Sequence, residues 1–185
     1  MWKLFRHLMP NADLVRAIAR TNNNFPSTAI SINDVADTEV TYYKGVFEVE
    51  LEDGSTWYIK TSDGLGRPFS FETEESCQQH LSLYERLRDV GFYHPNSRFV
   101  ASENKDSYRI ISATPDMASV THKKNQLVHF PEDQYIKQRD LLFSIIDREL
   151  LNGDVVAGRN YGVDNGKLYY FDMHIFKEVP SPMFE

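Results

Sequence analysis

Apolar and polar positions recur along this chain with two different periods, and each change of period marks an element. An apolar start (Trp2, Leu4, Phe5, Leu8, Met9) ends at Pro10. Leu14, Val15 and Ile18 then share one face of a helix predicted over Ala12 to Thr21, with Asn11 as its N-cap. From Ala29 the period shortens. Ala29 to Asn33 predicts a strand. Val40 to Leu51 predicts a longer one, and Thr56 to Thr61 its returning partner across the turn Glu52-Asp53-Gly54-Ser55. Ser62 to Pro68 reads as a linker. Thr73 caps a helix that runs to about Val90 and stops at Gly91, with Cys77, Leu81, Tyr84 and Leu87 on one face. Arg98 to Ala101 and Ser107 to Ile111 predict two further strands around the polar turn Glu103 to Asp106, completing a five-stranded antiparallel part. Ser112 to Met117 reads as the connection to a second part. There, a helix over about Asp133 to Leu150 carries a broad apolar face of Tyr135, Leu142, Phe143, Ile145, Ile146 and Leu150. Asp164-Asn165-Gly166 is the turn of a short hairpin, since Asn-Gly supplies the positive φ angles a tight turn needs. The fold class is α+β.

Composition narrows the functional classes. At 185 residues and 41% hydrophobic, the chain can build one domain or two small lobes sharing a cleft. A net charge of −7 argues against nucleic acid as the main partner. Cys77 is the single cysteine, so neither an intramolecular disulfide nor a thiolate zinc site is expected, and it reads as a small buried residue. No apolar run is long enough to span a membrane. The apolar start is broken by Lys3, Arg6 and His7, so no signal peptide is expected and the chain should fold in a reducing cytoplasm. His122 and His129 share no ligand spacing and read as surface or loop residues.

The candidate chemistry gathers in Leu150 to Asp172. A polar loop holds Asp154 and Asn160, a hairpin follows, and its second arm, Lys167 to Phe171, ends on Asp172. Two carboxylates and an amide therefore sit at the ends of short elements that a hairpin brings together. That arrangement suits magnesium and phosphate chemistry, with one Asp near an attacking hydroxyl and the Asn and second Asp on metal. Upstream, Lys60 closes the apolar triplet of the second strand in the first hairpin. In isolation a strand lysine is a solvated side chain; its place ahead of the acidic pair makes it a phosphate-binding candidate.

These residues resemble the protein-kinase-like fold. Asn152-Gly153-Asp154 stands where that fold carries His-Arg-Asp or His-Gly-Asp. Asn160, or Arg159 by the usual spacing, stands for its magnesium-binding Asn. Asp172-Met173-His174 stands for Asp-Phe-Gly, and Tyr58-Ile59-Lys60 for the strand motif whose Lys holds the α- and β-phosphates. The resemblance implies ATP and Mg2+ as cofactors, with Lys60 and Gly45 at the phosphates, Asp172 and Asn160 on the metal, and Asp154 as the catalytic carboxylate. Glu74 or Glu75 would pair with Lys60, although first-turn acids are also explained by the helix dipole.

The implied architecture is a minimal bilobal kinase. An N-lobe over about 1–112 holds the five strands, the segment 112–117 is the hinge, and a truncated, mostly helical C-lobe fills about 113–185, without an activation segment or later helices. Such small kinases are similar to effectors that bacterial pathogens inject into host cells through type III secretion, one family of which phosphorylates the host chaperone HSP90. The resemblance thus implies a protein serine/threonine kinase acting on a protein substrate such as HSP90, and a chain delivered into host cytoplasm. Two alternatives stay open. One is a pseudokinase interaction module, which the altered Asn152 and His174 favour. The other is AMP transfer or small-molecule phosphorylation on the same fold.

Overall fold

A computed structural model of the protein describes residues 29–34, 44–64, 70–104, 107–119, 132–156, 158 and 160–176. The helix expected over 12–21, the strand start at 40–43, His122, His129 and Arg159 lie outside these residues. The chain divides into two compact units. The first takes the described residues up to Ser82 together with Arg98–Pro115; the second takes Leu83–Ser97 together with the described residues from Asp116 onward.

The first unit is built on an antiparallel sheet of six strands: β1 (Ala29–Asp34), β2 (Lys44–Leu51), β3 (Thr56–Gly64), β4 (Ser70–Phe71), β5 (Arg98–Asn104) and β6 (Ser107–Pro115). Their order is β1-β2-β3-β6. Beyond the last β3–β6 pair, Lys60 with Ser112, β4 takes over the same edge of β6, and β5 pairs along its other edge. The alternation of side chains gives the sheet one apolar face, on which Phe47, Val49, Trp57, Ile59 and Ala113 are buried.

Three expectations are corrected here. The sheet has six strands rather than five, because the two residues of β4 are too short to leave a pattern. Ser62 to Gly64 belongs to β3 and not to a linker, since main-chain pairing with β2 continues to Lys44 opposite Gly64 whatever the side chains are. Ser112 to Pro115 is strand, paired with Lys60 to Trp57 of β3, so only Asp116 and Met117 separate β6 from the next strand.

Helix α1 (Glu74–Asp89) starts as predicted. The Thr73 hydroxyl accepts the N–H of Ser76 at 3.1 Å. Gly91, with φ +86°, turns the chain so that Phe92 N–H reaches the Leu87 carbonyl at 2.8 Å. The buried stripe is Cys77, His80, Leu83, Tyr84 and Leu87. Leu81, expected on that stripe, is only half-buried, and His80 takes the place one step around the helix.

The second unit holds a three-stranded antiparallel sheet, β7 (Ala118–Ser119), β8 (Tyr161–Asp164) and β9 (Lys167–Tyr170), in that order. The β8–β9 turn has φ 49° at Asn165 and 73° at Gly166, the two positive angles that an Asn-Gly hairpin turn requires. Helix α2 (Glu132–Phe143) is tied to it by Gln138, a buried amide that donates to the carbonyls of Leu168 and of Gly91. His94 secures the turn from the other side. Its Nδ1 accepts the N–H of Asn96, so Nε2 is the protonated nitrogen, and it donates to Asp164 Oδ2 at 3.1 Å.

The single helix expected over Asp133 to Leu150 is corrected. It stops at Phe143, and a separate 3-10 turn covers Arg148–Leu150. Ser144 turns its hydroxyl back onto the Leu141 carbonyl at 2.7 Å, and Asp147 caps the 3-10 turn through the N–H of Glu149. Leu142 and Ile146 are buried as expected of the apolar face, whereas Leu150 is exposed. The four-residue helix α3 (Gly153–Val156) follows. Among the described residues no helix is long and apolar enough to cross a membrane.

Candidate functional site

In the first unit the register places Lys60 directly between Val46 of β2 and Ser112 of β6. Directly opposed residues share a face, so Lys60 lies with Val46, Glu48, Tyr58, Ser112 and Thr114, opposite the apolar core face. This face is a polar stripe. Tyr58 donates its phenol to Glu48 at 3.1 Å. Ser112 is buried, and its hydroxyl has no hydrogen-bond partner among the described residues. Lys60 is half-buried. Gly45 falls where the β2–β3 register shifts between Lys44 and Val46, in the strand next to Lys60's own partner and not in a loop. Glu74 and Glu75 are exposed in the first turn of α1.

In the second unit the hairpin brings Asn160 and Asp172 together. Asn160 immediately precedes β8, Asp172 follows β9 by two residues, and the pairing of Tyr161 with Tyr170 closes the gap between them. The Phe171 N–H bonds the Asn160 carbonyl at 3.0 Å, and the Asn160 side-chain amide reaches Asp172 Oδ2 at 3.2 Å. Asn160 has a left-handed backbone, φ 62°, which an L residue other than Gly adopts at a cost, and which Asn tolerates best. The other oxygen of Asp172, Oδ1, accepts the N–H groups of Met173 at 2.8 Å and His174 at 3.4 Å. One carboxylate oxygen is thus held by backbone amides, and the other accepts from the Asn160 side chain.

Asp154 is the second residue of α3. Its helix grows from Asn152, whose carbonyl accepts the N–H groups of Val155 and Val156. The Asn152 N–H reaches the Ile175 carbonyl at 2.6 Å, its side chain reaches His174 Nδ1 at 3.0 Å, and Leu151 bridges Phe176. The segment carrying Asp154 and the segment carrying Asp172 are therefore laced together.

The tyrosines around this segment carry no signal in the sequence. Tyr93, Tyr84 and Tyr170 donate to the carbonyls of Asp172, Met173 and His174, three consecutive residues, at 3.0, 3.0 and 3.5 Å. Burial pushes the Tyr93 phenol well above its usual range, with neighbouring phenols and the Asp172 carboxylate adding to the effect, so it remains a protonated donor. Their rings pack edge-on and tilted with Phe92 and Tyr161. Alternation and helical period mark such residues as core and say nothing of where their hydroxyls go.

The residues fit a magnesium ion held jointly with phosphate oxygens. Magnesium takes oxygen ligands, often one or two carboxylates with the substrate's phosphates and water completing the set. Asp172 Oδ2 and the Asn160 amide oxygen are donors of that kind. Among the described residues no group of three or more His, Cys, Asp and Glu converges as a full metal cage.

The chain matches no protein-family model, and neither a curated protein nor a solved structure matches it.

Proposed function

We propose that the protein is an ATP- and magnesium-dependent protein kinase that transfers the γ-phosphate to a Ser or Thr hydroxyl of a protein substrate. The two units are then the lobes of a minimal kinase-like fold. The observation that carries this is the pairing of Asn160 with Asp172 at 3.2 Å across the open end of the hairpin, with Asn160 in a left-handed backbone. Costly backbone persists where the surrounding structure enforces it, and it gathers at functional sites. Lys60 lies in mid-sheet on a polar stripe, a place that suits a phosphate contact.

Asp172 and Asn160 would hold magnesium, which when bound neutralises charge on the phosphate oxygens. Lys60 neutralises phosphate charge on the α and β groups. Asp154 would orient the substrate hydroxyl and take its proton as that oxygen bonds to the γ-phosphorus and the bond from the γ-phosphorus to the departing ADP oxygen breaks. Catalysis is then positioning and charge neutralisation, with no covalent enzyme intermediate.

A second function, nucleotide binding without transfer in an interaction module, is favoured by the departures at Asn152 and His174 from the pattern of the resemblance. One experiment separates these. Wild type and Asp154→Ala are incubated with Mg2+ and ATP labelled at the γ- or the α-phosphate, with eukaryotic lysate or purified HSP90 as substrate. A γ-labelled band lost in the variant is the expected result. An α-labelled band means AMP transfer instead, and binding without label means the interaction module.

A further inference from the structure

We propose that Asn152 and His174 are a matched positioning pair that sets the Asp172 carboxylate relative to the Asp154 helix; this rests on the function proposed above. Both residues depart from the kinase-like pattern, one in each of its two acidic motifs, and the two departures meet. The Asn152 side chain and His174 Nδ1 are 3.0 Å apart. Each is otherwise engaged in the geometry of its own motif. Asn152 opens α3 through its carbonyl and holds Ile175 through its N–H. His174 donates its backbone N–H to Asp172 Oδ1, and its carbonyl accepts from Tyr170.

The chain of contacts is thus Asp154 helix, Asn152, His174, Asp172 carboxylate. Fixing the imidazole fixes the backbone amide that holds Asp172 Oδ1, and with it the orientation of the carboxylate. The link survives either amide orientation of Asn152, since a neutral imidazole accepts at Nδ1 in one tautomer and donates there in the other.

The test uses the full chain and Mg–ATP as the probe, with binding measured by calorimetry and transfer by γ-label. An Asn side chain places an amide atom where imidazole Nδ1 stands, whereas Gln reaches toward Nε2. His174→Asn should therefore bind Mg–ATP like wild type. His174→Gln, though closer in size to His, should bind about tenfold more weakly, as loss of an outer-shell partner typically does. Asn152→Ala should match His174→Gln, and the double variant should be no weaker than either, with kcat falling while KM for the protein substrate holds. Equal affinities for His174→Asn and His174→Gln, at whatever level, overturn the pair and leave the kinase function standing if wild type binds and transfers. A wild type that binds no Mg–ATP overturns both.

Discussion

The phenol of Tyr93 donates to the main-chain carbonyl of Asp172 at 3.0 Å, from the short segment that follows α1. It is the first of three such bonds to consecutive carbonyls, so the backbone of the Asp172 segment is set from outside by buried donors. Tyr93→Phe keeps the ring and removes only the hydroxyl. It should cost about 1–3 kcal/mol, because a part-buried acceptor loses its donor. The midpoint of urea unfolding at constant m-value checks this.

Asn160 separates backbone from chemistry. Asn160→Gly accepts φ 62° without strain, so its melting temperature should equal or exceed that of wild type, while Mg–ATP binding weakens by about tenfold or more. Asn160→Ala should lose the same binding and in addition about 1 kcal/mol of stability. Calorimetric titration and thermal unfolding of the two variants side by side distinguish the effects.

Gly162 leaves no room for a side chain. A Cβ there would stand 2.8 Å from the Cβ of Met117. Gly162→Ala should destabilise the protein by about 1–3 kcal/mol through overpacking. Met117→Ala would not rescue it, since the clashing atom is a Cβ that alanine retains; Met117→Gly would. Denaturant midpoints of the three variants read the difference.

Burial, joined by the nearby Glu74 carboxylate, pushes the Cys77 thiol up to about 11. At pH 8 the thiolate is a small minority and the sulfur is enclosed. A disulfide exchange reagent should modify the native protein at least about a hundredfold more slowly than the urea-unfolded chain. Rapid native labelling would mean that α1 opens locally.

Burial lowers the pKa of His80 below its ordinary 6.5, against the opposing effect of its bond to the Ser76 carbonyl. The folded state therefore favours the neutral ring and the unfolded chain binds the proton first. This contribution is whole above about pH 6.5 and is lost as pH falls toward the folded value. Wild-type melting temperature should drop on going from pH 7 to pH 5, and His80→Leu, which keeps an apolar contact for Phe71, should remove part of that drop.

Much of the secondary structure was legible because each piece obeyed one period. The β2–β3 hairpin, α1 with its Thr73 cap and Gly91 stop, and the Asn165-Gly166 turn all follow local chemistry. The failures have local causes too. Backbone pairing carried β3 past its apolar residues to Gly64, and a serine hydroxyl helped to end α2 at Phe143. At the site, the neighbourhood of Asn160 and Asp172 could be foreseen because a tight hairpin forces its ends together. The tie between Asn152 and His174 could not, because residues so far apart in sequence meet through main-chain links, the Leu151–Phe176 bridge and the bond from Asn152 N–H to the Ile175 carbonyl, that leave no pattern in the sequence. The polar stripe around Lys60 needed the register of three strands before Ser112 and Thr114 could be placed beside it.

The left-handed backbone at Asn160 also bears on how related chains will diverge. Drift there is channelled by main-chain geometry before any ligand is considered: Gly, Asn and Asp are admitted with least strain, and β-branched residues are turned away. Of the three, only Asn and Asp retain an oxygen for a cation. A descendant carrying Gly at this position would keep its hairpin and give up the side-chain bond to Asp172, so one codon would distinguish chains that keep that bond from chains that preserve only the shape.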